Sequence, residues 1–340
     1  MKWHLECGGL RSGAKPRQLT KAACMVTAKF SALFRSEHLI LWFCILLAGF
    51  STAVVPGFAT WWNAQTILLY AMPLLMASVG LTFVLITGGI DLSITSIMAA
   101  ASVAGAMIMS TDSGLLANTS TGIPIAILVM IGVGCALGAL NGHFVSNYKI
   151  PSFIATLTLM MFVSGLAVWS TRSEKIGGLP TPFLDVGQNL ILMAGLVAVL
   201  VIGAHWVLSR TLYGRWLYAV GLNEKAALVS GVPVRRTIFF VYVISGGFAA
   251  IASILLTANL ETGDPVMARN SLLDIVGATV LGGASLQGGR GKVLWTLYGV
   301  TFLVLLDNIL NLMNVNYYFI TMSKGAVILA AASLDALRHR

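Results

Sequence analysis

The segment LQGGRGKV, residues 286–293, is the nearest approach to a phosphate-binding loop in this 340-residue chain. A Walker A loop needs glycine at its first position, so that backbone amides can wrap phosphate, and Ser or Thr after the lysine to hold magnesium. Leu286 and Val293 occupy those positions. The sequence therefore predicts a chain that is not an enzyme and has no nucleotide cofactor of its own, and it assigns Gly288 and Gly289 to a turn or close helix packing.

Ionisable residues inside apolar stretches are the next chemical signal, because such groups are costly in a membrane and usually functional. Asp307, Lys324 and His205 are in this position. An ion-coupled transporter would use such groups, and that reading stays open as the alternative. A neutralised structural pair between Asp307 and Lys324 is preferred to a proton relay. His205 lies near a segment end, where its side chain can reach the interface.

The amino-acid composition indicates whether the segments that carry these residues lie in lipid or in water. The chain is 57% hydrophobic and only 10% charged, whereas soluble domains are about 25% charged. Lipid is therefore the predicted environment. The net charge of +9 fits basic cytoplasmic loops better than nucleic-acid binding. The four cysteines, at positions 7, 24, 44 and 135, are scattered, so neither a metal site nor a disulfide framework is predicted.

Apolar runs of about 20 residues predict an all-α, polytopic transmembrane helix bundle. About ten spans are expected within a permease domain of residues 38–335. The eighth contains Gly282 and Gly283 and is predicted to be a broken or re-entrant helix. The predicted spans are residues 38–55, 66–88, 91–111, 123–146, 151–171, 189–209, 237–258, 274–289, 293–312 and 317–334.

Orientation follows from the basic residues. With ten spans and a cytoplasmic N-terminus, most of the 21 lysines and arginines fall on the inside, as the positive-inside rule requires. The predicted inside segments include a basic tail of residues 1–37, the loop 210–236 and the C-terminal residues 336–340. The tail is expected to be retained rather than cleaved, because its basic region is longer than that of a signal peptide.

The stretch GGIDLS joins the second and third predicted spans. Asp91 is expected at an interface, where a carboxylate favours the start of a helix, and Gly88 and Gly89 let the chain reverse. A re-entrant arrangement that exposes Asp91 to a path remains open. A weak internal similarity between TFVLITGGIDL and ATVLGGASL suggests two related halves with a path between them.

The loop 210–236 contains a short helix signal, NEKAALVSGVP. Asn223 is predicted to cap this helix and Glu224 to occupy its first turn, while Gly231 and Pro233 end it. The segment is either a short helix that docks a soluble partner or an ordered surface loop.

Four segments carry a family resemblance: TFVLITGGIDLS, NGHFVSNYKIPSFIATL, TLYGRWLYAVGLNEKAALVSGV and VLGGASLQGGRGKVLWTLYG. Their order and spacing resemble the permease subunits of bacterial ribose/xylose/galactose-type sugar ABC importers. The resemblance implies a cytoplasmic ABC ATPase that binds ATP and Mg, a periplasmic sugar-binding protein and a second permease subunit, identical or paralogous. The ATPase-coupling residues it implies are Gly221, Asn223, Glu224, Ala226, Ala227, Ser230 and Gly231.

A sugar is polar and uncharged, so a path for it needs amides, hydroxyls and aromatic faces. The residues predicted to line the path are Asp91, Asn141, Phe153, Asn308 and Lys324. Helix–helix hydrogen bonding is the competing role for each.

The expected protein is a multi-pass permease of the bacterial inner membrane, in contact with lipid and not with nucleic acid, that imports a monosaccharide or polyol. A membrane scaffold is disfavoured, because a scaffold needs no polar, glycine-broken spans.

Overall fold

The structure is a computed structural model that describes residues 39–338 except residues 118 and 120. The predicted basic tail of residues 1–37, with Cys7 and Cys24, lies outside the described residues, as do the last two residues of the predicted C-terminal segment 336–340. The described part of the chain forms one compact unit from Ile40 onward.

The described residues form thirteen α-helices and no named strand. One short 3-10 helix, Arg269–Ser271, and one isolated antiparallel bridge between Ile176 and Gly263 complete the regular structure. The helices are α1 Leu39–Val54, α2 Trp61–Ile86, α3 Ile94–Met109, α4 Gly122–Asn147, α5 Ser152–Ser170, α6 Thr181–Gln188, α7 Leu190–Arg210, α8 Leu212–Leu222, α9 Glu224–Val229, α10 Val234–Leu260, α11 Leu272–Leu281, α12 Val293–Leu312 and α13 Tyr317–Arg338.

Each of the ten apolar segments predicted from the sequence overlaps one of these helices, which confirms the all-α class. Six helices, α2, α4, α5, α7, α10 and α12, are long and apolar enough to cross a membrane. Helices α1 and α3 are apolar but shorter. The count of ten spans therefore stays a prediction.

The predicted broken segment is a ten-residue helix, α11, followed by a glycine-rich loop of residues 282–292. Helix α11 ends at Leu281, well before the predicted end of the span at residue 289. Gly288 and Gly289 have φ of 86° and 73°, a left-handed conformation that other residues rarely adopt. The chain therefore turns within this loop before α12 begins.

Helices α2 and α10 form the centre of the bundle. Almost every residue of α2 from Met72 to Ile86 is buried. Helix α4 approaches α10 closely at three glycines spaced four residues apart, Gly134, Gly138 and Gly142. A Cβ added at Gly142 would lie 2.6 Å from the carbonyl oxygen of Phe239 in α10. Small residues at this spacing permit backbone contact between membrane helices, and this contact fixes the centre of the fold.

Candidate functional site: a polar groove and a glycine-packed loop cluster

The loop between α7 and α10 contains two helices, α8 and α9. The Asn223 side chain accepts a hydrogen bond from the backbone N–H of Ala226 at 3.0 Å and caps α9. Glu224 is in the first turn, and Gly231 has a φ of +82° just beyond the helix. The predicted capped helix is confirmed. Helix α8 was not predicted, although Thr211, which accepts from Gly214 N–H at 3.2 Å, is the capping signal that could have found it.

Helix α9 has an inner and an outer side. Ala227 is buried with Val220 and Val234, so it anchors the helix and presents no surface to a partner. Leu228 and Val229 are 65% and 89% exposed. These two residues, which the sequence reasoning did not single out, give α9 a small apolar outer surface. The other residues predicted for coupling, Asn223, Glu224, Ala226, Ser230 and Gly231, are exposed beside it, while Gly221 is half-buried.

Four glycines pack the end of α8 against the end of α2 and against the loop 282–292. We call Gly88, Gly221, Gly288 and Gly289 the glycine cluster. The N–H of Gly289 donates to the carbonyl of Ile86 at 2.8 Å. A Cβ added at Gly221 would overlap that carbonyl and would lie 2.5 Å from the Gly289 nitrogen, and one added at Gly288 would lie 2.8 Å from the Gly88 nitrogen. There is therefore no room for side chains between these three backbone segments.

Tyr218 adds a side-chain link to the same contact. Its hydroxyl donates to the carbonyl of Gly291 at 2.6 Å, and burial raises the pKa of Tyr218 to about 12. The phenol therefore stays protonated, and remains a donor, near neutral pH. Helix α8 is thus joined to the loop 282–292 at both Tyr218 and Gly221.

The remaining predicted glycine motifs also bring backbones together. A Cβ added at Gly89 would lie 2.6 Å from the Tyr242 hydroxyl, and Gly282 leaves no space between α11 and the backbone of Trp295 in α12. Gly283, with a φ of +107°, is the second residue of the loop that follows α11. These positions support the predicted structural role of the glycines.

Asp91 is enclosed by protein, which differs from the expectation of a carboxylate at an interface. Its Oδ1 accepts from the N–H and the hydroxyl of Ser93 at 3.0 and 2.6 Å, and its Oδ2 accepts from the Ser245 hydroxyl at 2.8 Å. Asn141 donates from Nδ2 to the Ser93 hydroxyl at 2.7 Å. Asp91 and Asn141 are wholly buried and belong to this network.

An open groove of about 1240 Å³ lies between α3, α5 and the segment 265–272. None of the five predicted path residues lines it, and Phe153 lies near the start of α5 with its side chain exposed. The groove is lined by hydroxyl, thioether and aromatic side chains and two arginines, together with aliphatic residues such as Ala99 and Val168. The hydroxyl, thioether, aromatic and arginine side chains belong to Thr95, Ser96, Met160, Met161, Ser164, Trp169, Ser170, Arg172, Ser173, Met267 and Arg269.

Lys324 bridges two carboxylates on neighbouring helices. Its Nζ lies 2.7 Å from Asp307 Oδ1 and 3.0 Å from Asp274 Oδ2. The predicted Asp307–Lys324 pair is confirmed, and Asp274 of α11 joins it. Asn308 and Asn63 donate to each other at 2.7 and 3.0 Å. Asn308 and Lys324 line a separate cavity of about 810 Å³ between α2, α11, α12 and α13.

Comparisons with known proteins identify the family to which the chain belongs. Residues 63–332 match the family described as the permease component of the branched-chain amino acid transport system, and the chain belongs to this family. With its apolar helices, the chain is thus a multi-pass membrane protein of the permease class.

Among individual relatives, the ribose import permease of Bacillus subtilis is 38% identical over 75% of this chain and 79% of the relative. The ribose import permease of Escherichia coli K12 is 30% identical over 90% of this chain and 95% of its own length. The L-arabinose transport system permease of the same strain is 30% identical over 92% and 93%. No solved structure matches the chain.

Proposed function

We propose that this chain is the membrane-spanning subunit of an ABC importer that carries a monosaccharide or related polyol into the cytoplasm. The lining of the groove carries the proposal. Hydroxyls such as Ser164 and Thr95 can exchange hydrogen bonds with a sugar, and the Trp169 ring offers a flat apolar face. The charged side chains that line the groove are Arg172 and Arg269. Arg172 lies just beyond the C-terminal end of α5, and Arg269 is the first residue of the 3-10 helix. The ribose and arabinose permeases among the relatives support this solute class.

A second permease subunit, identical or paralogous, would close the groove. Hydroxyl-bearing side chains are poorly solvated by lipid, and the groove of one subunit is open along its side. Polar side chains inside membranes usually face a partner or a water-filled cavity. Two grooves facing each other would enclose a path shielded from lipid.

The proposed topology has ten spans with both ends in the cytoplasm of a bacterium and the protein in its inner membrane. Helices α8 and α9 then lie on the cytoplasmic side. Trp61, Trp62, Tyr317 and Tyr318 are exposed at the starts of α2 and α13, on the predicted outer side. Tryptophan and tyrosine are enriched at membrane interfaces, which supports this placement.

A separate cytoplasmic ATPase would supply the energy and bind the ATP and Mg, and a periplasmic binding protein would deliver the sugar. Leu228 and Val229 offer the ATPase an apolar contact. Movement of α8 and α9 would be transmitted to α2 and to the loop 282–292, because the backbones of these three segments are in direct contact at the glycine cluster. The spans would thereby alternate between inward- and outward-facing arrangements.

Obstruction of the groove tests the proposal. Gly165 lines the groove, and a Cβ added there meets no atom within 4 Å. The side chain of Gly165→Trp therefore starts in open space, and we expect its indole ring to obstruct the groove. Gly195 of α7 is equally unobstructed but does not line the groove, so Gly195→Trp is the matched control.

The assay is sugar uptake into proteoliposomes that contain the chain, its ATPase and its binding protein, with pentoses, hexoses and polyols offered separately. We expect ATP-dependent uptake that Gly165→Trp abolishes and Gly195→Trp preserves. Unchanged uptake by Gly165→Trp would remove the groove from the path. Uptake by the chain alone that an ionophore dissipates would instead favour the ion-coupled transporter.

A further inference from the structure

A cluster of buried oxygen atoms surrounds Asp91, and the proposed transport function does not account for it. We define the Asp91 cluster as Asp91, Ser93, Asn141, Tyr242 and Ser245. All five side chains are at most 1% exposed. The three hydrogen-bond donors to the carboxylate, the Ser93 N–H and hydroxyl and the Ser245 hydroxyl, are all neutral.

The charge of this carboxylate has no side-chain counterpart. Among the residues that the structure describes, no lysine, arginine or histidine forms an ion pair with Asp91; the described pairs involve Asp264, Asp274 and Asp307. An ionised carboxylate that is fully buried is expensive unless a positive charge compensates it. The carboxylate must therefore be neutralised by something other than a side chain, either a bound proton or a bound cation.

One further oxygen of the cluster, Asn141 Oδ1, has no hydrogen-bond partner among the described residues, whereas the Tyr242 hydroxyl has the Ser152 side chain beside it. The Asn141 amide is linked to the carboxylate through Ser93, because its Nδ2 donates to the Ser93 hydroxyl, which itself donates to Asp91. Tyr242 lies one turn before Ser245 on α10, with its hydroxyl beside Gly89. Buried polar atoms without a partner are rare in native proteins and call for an explanation.

We infer that the Asp91 cluster binds one small monovalent cation, sodium or potassium. Such an ion neutralises the single carboxylate and gives the unpaired Asn141 oxygen a positive partner. The ligands are all hard oxygens, and the described residues contain no group of three His, Cys, Asp or Glu side chains that would suit a divalent metal. The site lies where the chain is unwound between α2 and α3, and such interruptions form ion sites in other membrane proteins.

The first test is the thermal midpoint of the purified full-length chain in detergent. Sodium or potassium chloride is titrated against N-methylglucamine chloride at constant ionic strength. Ligand binding to the folded state raises the midpoint, and we expect a saturable rise of about 2 °C or more for the preferred ion. Asp91→Asn should lose the rise. Asp185→Asn, which removes an exposed carboxylate on α6, should keep it.

The second test does not depend on a variant that folds. Equilibrium binding of radioactive sodium, or of rubidium as a potassium analogue, to the unmodified chain should saturate near one ion per chain. No saturable binding and equal midpoints in all three salts would overturn the inference. That result would assign the unpaired Asn141 oxygen to a buried water and leave Asp91 neutralised by a proton. A rise that Asp91→Asn retains would also overturn it. Both measurements use the chain alone, so they are independent of the proposed transport function.

Discussion

The close approach of α8 to α2 makes Gly221→Ala an informative perturbation. An added methyl group would overlap the Ile86 carbonyl and would lie 2.5 Å from the Gly289 nitrogen, between the two atoms that form a 2.8 Å hydrogen bond. Overpacking costs about 1–3 kcal/mol, and a lost backbone hydrogen bond costs about 1 kcal/mol. We therefore expect the free energy of unfolding to fall by about 2–4 kcal/mol.

Gly203→Ala is the matched control. Gly203 is a helical glycine of α7 with no atom within 4 Å of an added Cβ, so alanine should change the free energy of unfolding by at most about 1 kcal/mol, and in the stabilising direction. Denaturation in mixed micelles measures both variants. If Gly221→Ala unfolds with the same free energy as the parent or the control, the three backbones do not pack as described and the coupling route through them fails.

The coupling account adds a functional expectation for the same variant. Gly221→Ala leaves the exposed Leu228 and Val229 unchanged, so the ATPase should still co-purify. Transport should fall below that of Gly203→Ala at a temperature at which both variants are folded. Parallel loss of ATPase association and transport would instead indicate that the docking surface itself had been disrupted.

Three further substitutions test other contacts. Lys324→Met leaves two partly buried carboxylates facing each other and should lower the free energy of unfolding by about 2–3 kcal/mol. Lys225→Met removes an exposed lysine of α9 and should change that free energy by less than about 1 kcal/mol; equal effects would contradict a structural role for Lys324. Asn308→Ala leaves Asn63 Oδ1 without its donor, while Asn63 Nδ2 still donates to the Phe58 carbonyl. The free energy of unfolding should fall by about 1–3 kcal/mol, and an unchanged value would show that water replaces the lost bond. Val229→Asp should reduce co-purification of the ATPase without lowering the thermal midpoint, and undiminished association would move the docking surface elsewhere.

The features that the sequence predicted correctly depend on local signals. Hydropathy found a helix in every apolar segment because lipid requires continuous apolar helices. Asn223 and Gly231 bounded α9 because capping acts within a few residues. The Asp307–Lys324 pair was predictable because charges in an apolar environment must find each other.

The features that were missed depend on tertiary contacts. Asp274 joined the charged pair because α11 packs beside α13, and the sequence gives no sign of that neighbour. Ala227 is buried because α8 and α10 cover it. The groove residues, Ser164 and Trp169 among them, have ordinary types for a membrane helix, and only the packing of α3 and α5 reveals their shared cavity.

The most direct test of the importer assignment is purification of the tagged chain from its native host in a mild detergent, with mass spectrometry of the proteins that accompany it. The account predicts a P-loop ATPase in roughly equal amount, a second permease if the path is heterodimeric, and a loss of the ATPase in Val229→Asp. Recovery of the chain alone, under conditions that keep other ABC complexes intact, would contradict the account.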